Sequence, residues 1–361
     1  MSRLTNPLQC YPSARREAGL SIIELMISIA LGLMILTAVI SVFVNASTAR
    51  NEVERTSRQI ENGRFAVELL SDDLRVAGFY GEMGIASLPA TGALADAEHN
   101  PCSTTAANWG KAMNFHVLGY DNGTGVPACV PASLMAGTDV VVVRRVKTCV
   151  AGVDGCEAAT SVKPYLQVSL CETELAVKPY VIGLQGTADF TQLHLRDCTT
   201  SPPGTVAGRR QYLVRIYFIS TDNGAGQPIP TLKVMELELK SGAIDMVERP
   251  LVEGIQNFNV EYGIDTDGDG TVDAYSTAPA AFVCGTCTPE SNWRNVLTAQ
   301  FYILARNIDT SPGYSDGKTY RLGRDAAGDP ITVGPFNDGF RRHIYTGLVR
   351  IANAAGRRDT P

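Results

Sequence analysis

Histidine is scarce in this chain, four residues in 361, and the arrangements that make hydrolases or nucleotide enzymes are absent. There is no Gly-x-Ser-x-Gly elbow and no His-Glu-x-x-His helix. No glycine-rich phosphate loop occurs. His116, His194 and His343 stand apart in apolar or strand-like surroundings, and His99 lies in a loop. Scattered histidines are structural more often than catalytic, so no enzyme is expected. Basic excess is missing too, because the formal charge is −6. Contact with phosphates needs a basic surface, so no specific nucleic-acid binding is expected. Arg144-Arg145 and Arg209-Arg210 read as solvated strand ends, and Arg341-Arg342 and Arg357-Arg358 are as unspecific.

The most consequential absence is of charge between Leu20 and Val44, where Glu24 stands alone. A bilayer-spanning helix needs about 20 apolar residues, and this run is long enough. A carboxylate near the start of such a helix is costly. It is tolerable when paired, and an amine freed by cutting after Gly19 would be the partner. An ordinary secretory signal has an apolar core of about 7–15 residues with its small-residue cut site behind it. Here the run is longer and the glycine precedes it. A plain signal anchor with a stray Glu is the alternative. Arg3, Arg15 and Arg16 precede the run, which keeps this end cytoplasmic and sends the remainder outward.

Gly19, Leu20 and Glu24 resemble the processing site of type IV prepilins. The resemblance implies a membrane peptidase that cuts after Gly19 and methylates the new N-terminus at Leu20. It also implies that Glu24 neutralises a neighbouring subunit's terminal amine during assembly. The leader is longer than the shortest prepilin leaders, so Met1 is not assumed to be the true start. Removing residues 1–19 deletes three Arg and one Glu and takes the charge to −8.

Beyond Val44 neither glycine nor proline appears until Gly63, so the helix is expected to continue to about Ala77, with Gly78 as its C-cap. Val53, Ile60, Val67 and Leu74 recur every seven residues, with Leu70 and Ala77 filling the adjacent positions, and predict an apolar stripe laid on a globular head. A membrane helix followed by a separate coiled coil is the alternative. After Gly81 the texture changes to loops, then to strand-like runs. These are 138–147, 177–184, 190–195, 211–220, 231–240, 255–264, 296–305 and 343–353. Many strands without intervening helices predict an α+β fold: one long helix packed on antiparallel sheet. The expected divisions are a leader (1–19), a transmembrane half-helix (20–44), an amphipathic half-helix (45–80) and a β-rich head (81–361).

Of nine cysteines, Cys10 lies in the leader. Eight remain in a segment sent out of the cytoplasm, where disulfides form. Eight cysteines allow 105 pairings. The simplest is sequential: Cys102–Cys129, Cys149–Cys156, Cys171–Cys198 and Cys284–Cys287. The last also matches a redox C-x-x-C, which wants a helix start behind it. Thr288-Pro289 is expected to break the chain there instead. A zinc site would want a second pair at similar spacing, and none is near.

Asp265-Thr266-Asp267-Gly268-Asp269-Gly270-Thr271-Val272-Asp273 has three acids at alternate positions, then a glycine, like the start of an EF-hand calcium loop. Asp265, Asp267 and Asp269 would supply carboxylates, Thr271 its carbonyl, and Asp273 position nine. The loop 265–276 ends on Ser276 where the bidentate Glu should stand. Strand-like sequence precedes it, so a structural Ca2+ loop outside the EF-hand fold is expected. A solvated Asp/Gly turn is the alternative.

Tyr262–Gly270 resembles the calcium-like segment of PilW-type minor pilins. Ala305-Arg306-Asn307, Lys318-Thr319-Tyr320 and Phe340–Tyr345 look like the end of that family, and Arg64–Tyr80 is similar too. The resemblance is weak over 81–211. It implies a low-abundance subunit that starts a type IV pilus, serving adhesion and twitching motility. Its partners would be other minor pilins and the major pilin through the N-terminal helix, a tip adhesin, and the prepilin peptidase. It would sit in the inner membrane as a single-pass protein with its head periplasmic, then in the pilus at the cell surface. A type II secretion pseudopilin, or a DNA-uptake or adhesive tip pilin, are the alternatives.

Overall fold

A computed structural model describes residues 19–88, 93, 94, 97–200 and 205–356. The leader through Ala18, with Cys10, Arg15 and Arg16, lies outside the described residues, as do Arg357 and Arg358. The chain divides into two units, one ending at Glu54 and one from Arg55 to Pro361. A single helix, α1 (Ile22–Arg75, 54 residues), runs through the division.

In the first unit the apolar run of α1 is exposed throughout and packs on nothing among the described residues. Leu25, Ile29, Leu33, Leu36 and Ile40 are all more than half exposed. Such a surface needs an apolar cover. Three of the four hydroxyls in the run are satisfied internally. Ser28 donates to the Glu24 carbonyl, Thr37 to Leu33 and Ser41 to Ala38. Polar groups disposed of in this way suit lipid, which offers no hydrogen-bond partner.

In the second unit the end of α1 seats on the head. The expected stripe holds at its far end, where Leu70, Leu74 and Ala77 are buried, and is displaced at its start. Ile60 is 38 % exposed and Val53 70 %, and of the four heptad residues only Leu74 is buried. The buried positions are Gln59, Gly63, Ala66, Leu70, Asp73 and Leu74. One residue of offset turns a helix face by about 100°. Close approach and polar matching select this face rather than side-chain size. A Cβ on Gly63 would lie 2.2 Å from the Tyr345 ring. Gln59 Nε2 donates to the carbonyls of Ala305 (2.9 Å) and Arg341 (3.0 Å). Asn62 Nδ2 donates to that of Glu253 (3.0 Å).

Gly63 therefore inverts the usual rule. In a free helix Gly63→Ala would gain about 1 kcal/mol. Overpacking against Tyr345 costs about 1–3 kcal/mol. The substitution is expected to lower the urea midpoint, read by the fluorescence of buried Trp109 and Trp293. In a Tyr345→Ala background the sign should reverse.

The head is antiparallel sheet. The larger sheet holds β1 (Val117–Tyr120), β2 (Val140–Val146), β3 (Pro164–Val168), β4 (Tyr180–Leu184), β5 (Arg209–Ser220), β6 (Thr231–Lys240) and β7 (Ala243–Glu253). Its order is β1-β2-β5-β3-β4, with β6 beside β5 and β7 beside β6. The smaller sheet holds β8 (Ile255–Ile264), β9 (Ala274–Ser276), β10 (Val296–Arg306) and β13 (Arg342–Arg350), in the order β13-β10-β8-β9. β11 (Tyr320–Arg324) and β12 (Pro330–Val333) form a hairpin. Short helices α2 (Ala106–Ala112), α3 (Glu172–Leu175), α4 (Pro289–Arg294) and α5 (Ala352–Ala355) lie before, between or after the strands. Leu70 and Leu74 of α1 share one core with Val142, Phe218, Phe258 and Phe301 of the sheets.

Two sequence expectations fail here. Residues 190–195 form no strand, only a bridge between His194 and Val206. Their backbone is claimed by side chains instead: Gln167 Nε2 donates to the Phe190 carbonyl and Glu174 accepts the His194 N–H. Thr288-Pro289 does not break the chain; it starts α4. Proline fits the first turn, where its missing N–H is not needed. Thr288 Oγ1 accepts from the Ser291 N–H and Ser291 Oγ accepts from the Thr288 N–H, a reciprocal cap. The structure joins Cys102 to Cys129, Cys149 to Cys156, Cys171 to Cys198 and Cys284 to Cys287, with Cα separations of 5.7, 6.1, 5.1 and 5.1 Å.

Candidate functional site

The amino end of α1 is built from Gly19, Leu20, Ser21 and Glu24. The Ser21 carbonyl accepts the first helical hydrogen bond, from Leu25 N–H (3.0 Å). Ser21 thus stands at the N-cap and Glu24 at the third helical position, the spacing of a capping box, which the apolar pattern had obscured. An acid in the first turn gains about 0.3–1 kcal/mol from the helix dipole. An acid at the centre of a membrane helix costs about 2.5–3.5 kcal/mol. The dipole alone offsets only part of such a cost.

The acidic loop leaves the end of β8. Asp265 is fully buried, while Asp267, Asp269, Thr271 and Asp273 are exposed. Ligand atoms of Asp265, Asp267 and Asp269 lie within 4.8 Å of one another. Gly268 takes φ +86°, the left-handed bend that turns the three carboxylates toward one point. The Asp265 carboxylate accepts from the N–H groups of Gly268 (2.6 Å) and Gly270 (3.1 Å). Asp273 is not part of the cluster. Its Oδ2 accepts from the N–H and hydroxyl of Thr266, both at 2.7 Å, and these bonds hold its carboxyl below the usual range. Hard oxygen donors at this spacing fit Ca2+ better than a softer metal.

A third constellation escaped sequence reading. Asp73 is buried on α1 and its Oδ1 accepts from Arg145 Nε (2.6 Å) and Arg215 Nη1 (3.0 Å). Its Oδ2 accepts from the Tyr217 hydroxyl (2.7 Å). Arg215 continues to Glu236, at 3.1 and 3.2 Å. Burial alone would push the Arg215 guanidinium down; the charges of Asp73, Tyr217 and Glu236 reverse this and hold it above its ordinary range. Burial, then Asp73, raises the Tyr217 phenol. The signal available was an acid at a position in phase with Ala66 and Leu70.

The pair Arg144-Arg145 is not a solvated strand end. Arg144 is fully buried and donates to the carbonyls of Phe115 and His99, and Arg145 pairs with Asp73. The histidines do not converge. His116 faces the Val296 carbonyl, His194 pairs with Glu174 at 2.6 Å, and His343 stacks edge-on against Tyr345. His99 is buried rather than in an open loop, its Nδ1 2.7 Å from the Ala93 carbonyl.

Residues 216–353 match the family model for the Type IV Pilus-assembly protein W. This stretch is of the PilW family. The PilW segment begins inside β5 and runs past β13, so it includes the acidic loop. A solved structure, the Type IV-like pilin TTHA1219 from Thermus thermophilus, is similar at 15 % identity, over 62 % of this chain and 81 % of that one. Its TM-score is 0.27, too low to carry an argument about the fold. No curated protein matches the chain. The matched family is described as a pilus-assembly protein, and α1 supplies an apolar span near the N-terminus of the chain.

Proposed function

We propose that this chain is a minor pilin that is anchored in the inner membrane by residues 20–44, cut after Gly19, and built into a type IV pilus whose assembly it helps to start. The observation that carries the reading is a lone acid, Glu24, in the first turn of an apolar helix whose run packs on nothing among the described residues. The PilW match over the head supports the pilus over other exported filaments. Arg15 and Arg16 favour a cytoplasmic N-terminus and a periplasmic head. Partners follow: the peptidase first, then the apolar helices of other minor pilins and of the major pilin, and a tip adhesin above them. The test replaces Gly19 by a bulky residue and, separately, Glu24 by Ala, and counts surface filaments and twitching. Loss of exoenzyme secretion with piliation intact would favour the type II secretion alternative.

The acidic loop is the second part of the proposal. Asp265, Asp267 and Asp269 would hold Ca2+, with Thr271 offering its carbonyl and Asp273 acting only after releasing Thr266. Bound calcium would tie the turn after β8 to its exit. A ligand at 100 times its Kd stabilises a fold by about 2.7 kcal/mol. Millimolar Ca2+ is therefore expected to raise the melting temperature of the full chain by several degrees over EDTA, and Asp265→Asn to abolish the rise. An unchanged melt in the unaltered protein would leave a solvated turn.

A further inference from the structure

A cavity of about 640 Å³ opens on the head beside β1. Sites that take small organic molecules run to about 300–1,000 Å³. Separate stretches of chain wall it: the turn at Leu94, the end of β1 at Tyr120, the loop that carries Thr124, the turn at Ala280, and α4. These walls are tied down from outside. Cys102–Cys129 joins the chain just past Pro101 to the chain just past Pro127, and both prolines line the cavity. Cys284–Cys287 closes the loop between Ala280 and Pro289, which also line it. Proline fixes φ at each of these points. A site held in this way needs little ordering when a ligand enters. Most of the interior is apolar, from Leu94, Leu118, Tyr120 and Trp293. Tyr262 packs edge-on against Trp293, with 4.9 Å between ring centres, and fixes the indole in place. Gly119 leaves room for it, because a Cβ there would stand 2.3 Å from the Tyr262 hydroxyl.

The walls carry one carboxylate and, among the described residues, no lysine or arginine. Glu290 of α4 has its Oε1 fixed by the Leu94 N–H (2.9 Å). That bond above all holds its carboxyl below the usual range, so the group stands charged. A charge at the edge of an apolar cavity is answered best by an opposite charge on the ligand. We propose that this cavity is a binding site for a small organic cation, an amine carried on an aromatic or aliphatic body, with Glu290 as its counter-ion. Leu94 and Leu118 would pack on the body. Tyr120 and Trp293 would serve body and amine alike, because the faces of aromatic rings attract cations. An anion would meet Glu290 with no base in the walls to offset it. This inference goes beyond the pilin reading and does not depend on the anchor or on calcium.

The test uses the full chain in nonionic detergent micelles and three probes: phenethylamine, its uncharged counterpart phenethyl alcohol, and the anion hydrocinnamate. Tryptophan fluorescence reads binding, since Trp293 lines the cavity and Trp109, the other tryptophan, does not. Phenethylamine is expected to give a saturable change, the alcohol to bind about tenfold more weakly, and hydrocinnamate not to bind. Glu290→Gln keeps an acceptor for the Leu94 N–H. It should weaken the amine about tenfold and leave the alcohol unchanged. Glu157→Gln, an exposed acid outside the cavity, should change neither. Thr124→Phe, at the exposed rim, should block amine and alcohol alike. Equal affinity for amine and alcohol, tighter binding of the anion, or an amine response that survives Glu290→Gln or Thr124→Phe would overturn the proposal. So would a change that never saturates, which reports only the micelle.

Discussion

Asp73→Ala is expected to destabilise the head by about 3 kcal/mol, enough to loosen the seat of α1. Removing one partner of a buried ion pair costs about 3–5 kcal/mol, because the charge left behind stays desolvated. Here two guanidinium groups and a phenol lose their shared acceptor. The low end applies because the side chains of Arg145 and Arg215 keep 14 % and 26 % exposure, and Arg215 retains Glu236. The neighbouring acid is the control. Asp72 is well exposed and reaches only Arg75, at 3.9 Å. Exposed pairs are worth about 0.2–1 kcal/mol at most. Urea unfolding of the two variants, read by tryptophan fluorescence, should separate them widely. Equal midpoints would show that Asp73 does not hold the helix to the sheet.

The other large effect concerns assembly. Glu24→Ala should leave a chain that is inserted and cut after Gly19, yet is absent from filaments, with surface piliation down more than tenfold. The acid is the residue whose removal makes the helix a better membrane span, since its cost in lipid disappears. A stray acid would therefore be dispensable, and an assembly acid would not. A bulky residue at Gly19 should act one step earlier and leave the leader attached. The N-terminal mass distinguishes the two: it should begin at Leu20 for Glu24→Ala and upstream of Leu20 for the Gly19 variant. Normal piliation in both variants, or a purified Glu24→Ala chain that still carries its leader, would sink this part of the reading.

Local patterns were legible wherever one residue type decides a local geometry. The apolar run gave away α1, and Gly78, at φ +72°, marks where the chain leaves it. Alternation and turn residues placed β6 at 231–240 and β8 at 255–264 to the residue. An even set of cysteines was read as disulfides, and the sequential pairs are those the structure forms. The face that α1 buries was legible only toward its end, at Leu70, Leu74 and Ala77. Heptad spacing favoured Val53 and Ile60, whereas contact runs through Gln59, Gly63 and Asp73, whose value depends on Tyr345, Ala305, Arg145 and Arg215 far along the chain. The cap that turns Thr288-Pro289 into a helix start was readable from Ser291 and was overlooked.

By itself the sequence determined that an apolar helix with one acid leads into a disulfide-bonded β head with a clustered-carboxylate loop, because hydropathy, turn chemistry and like-charge crowding act over a few residues. Tertiary structure alone decided which helix face is buried ahead of Leu70, where the arginines go, and which distant segments wall the cavity beside β1. Those outcomes rest on close approach and on polar groups finding partners up to hundreds of residues away, and no local pattern encodes that matching.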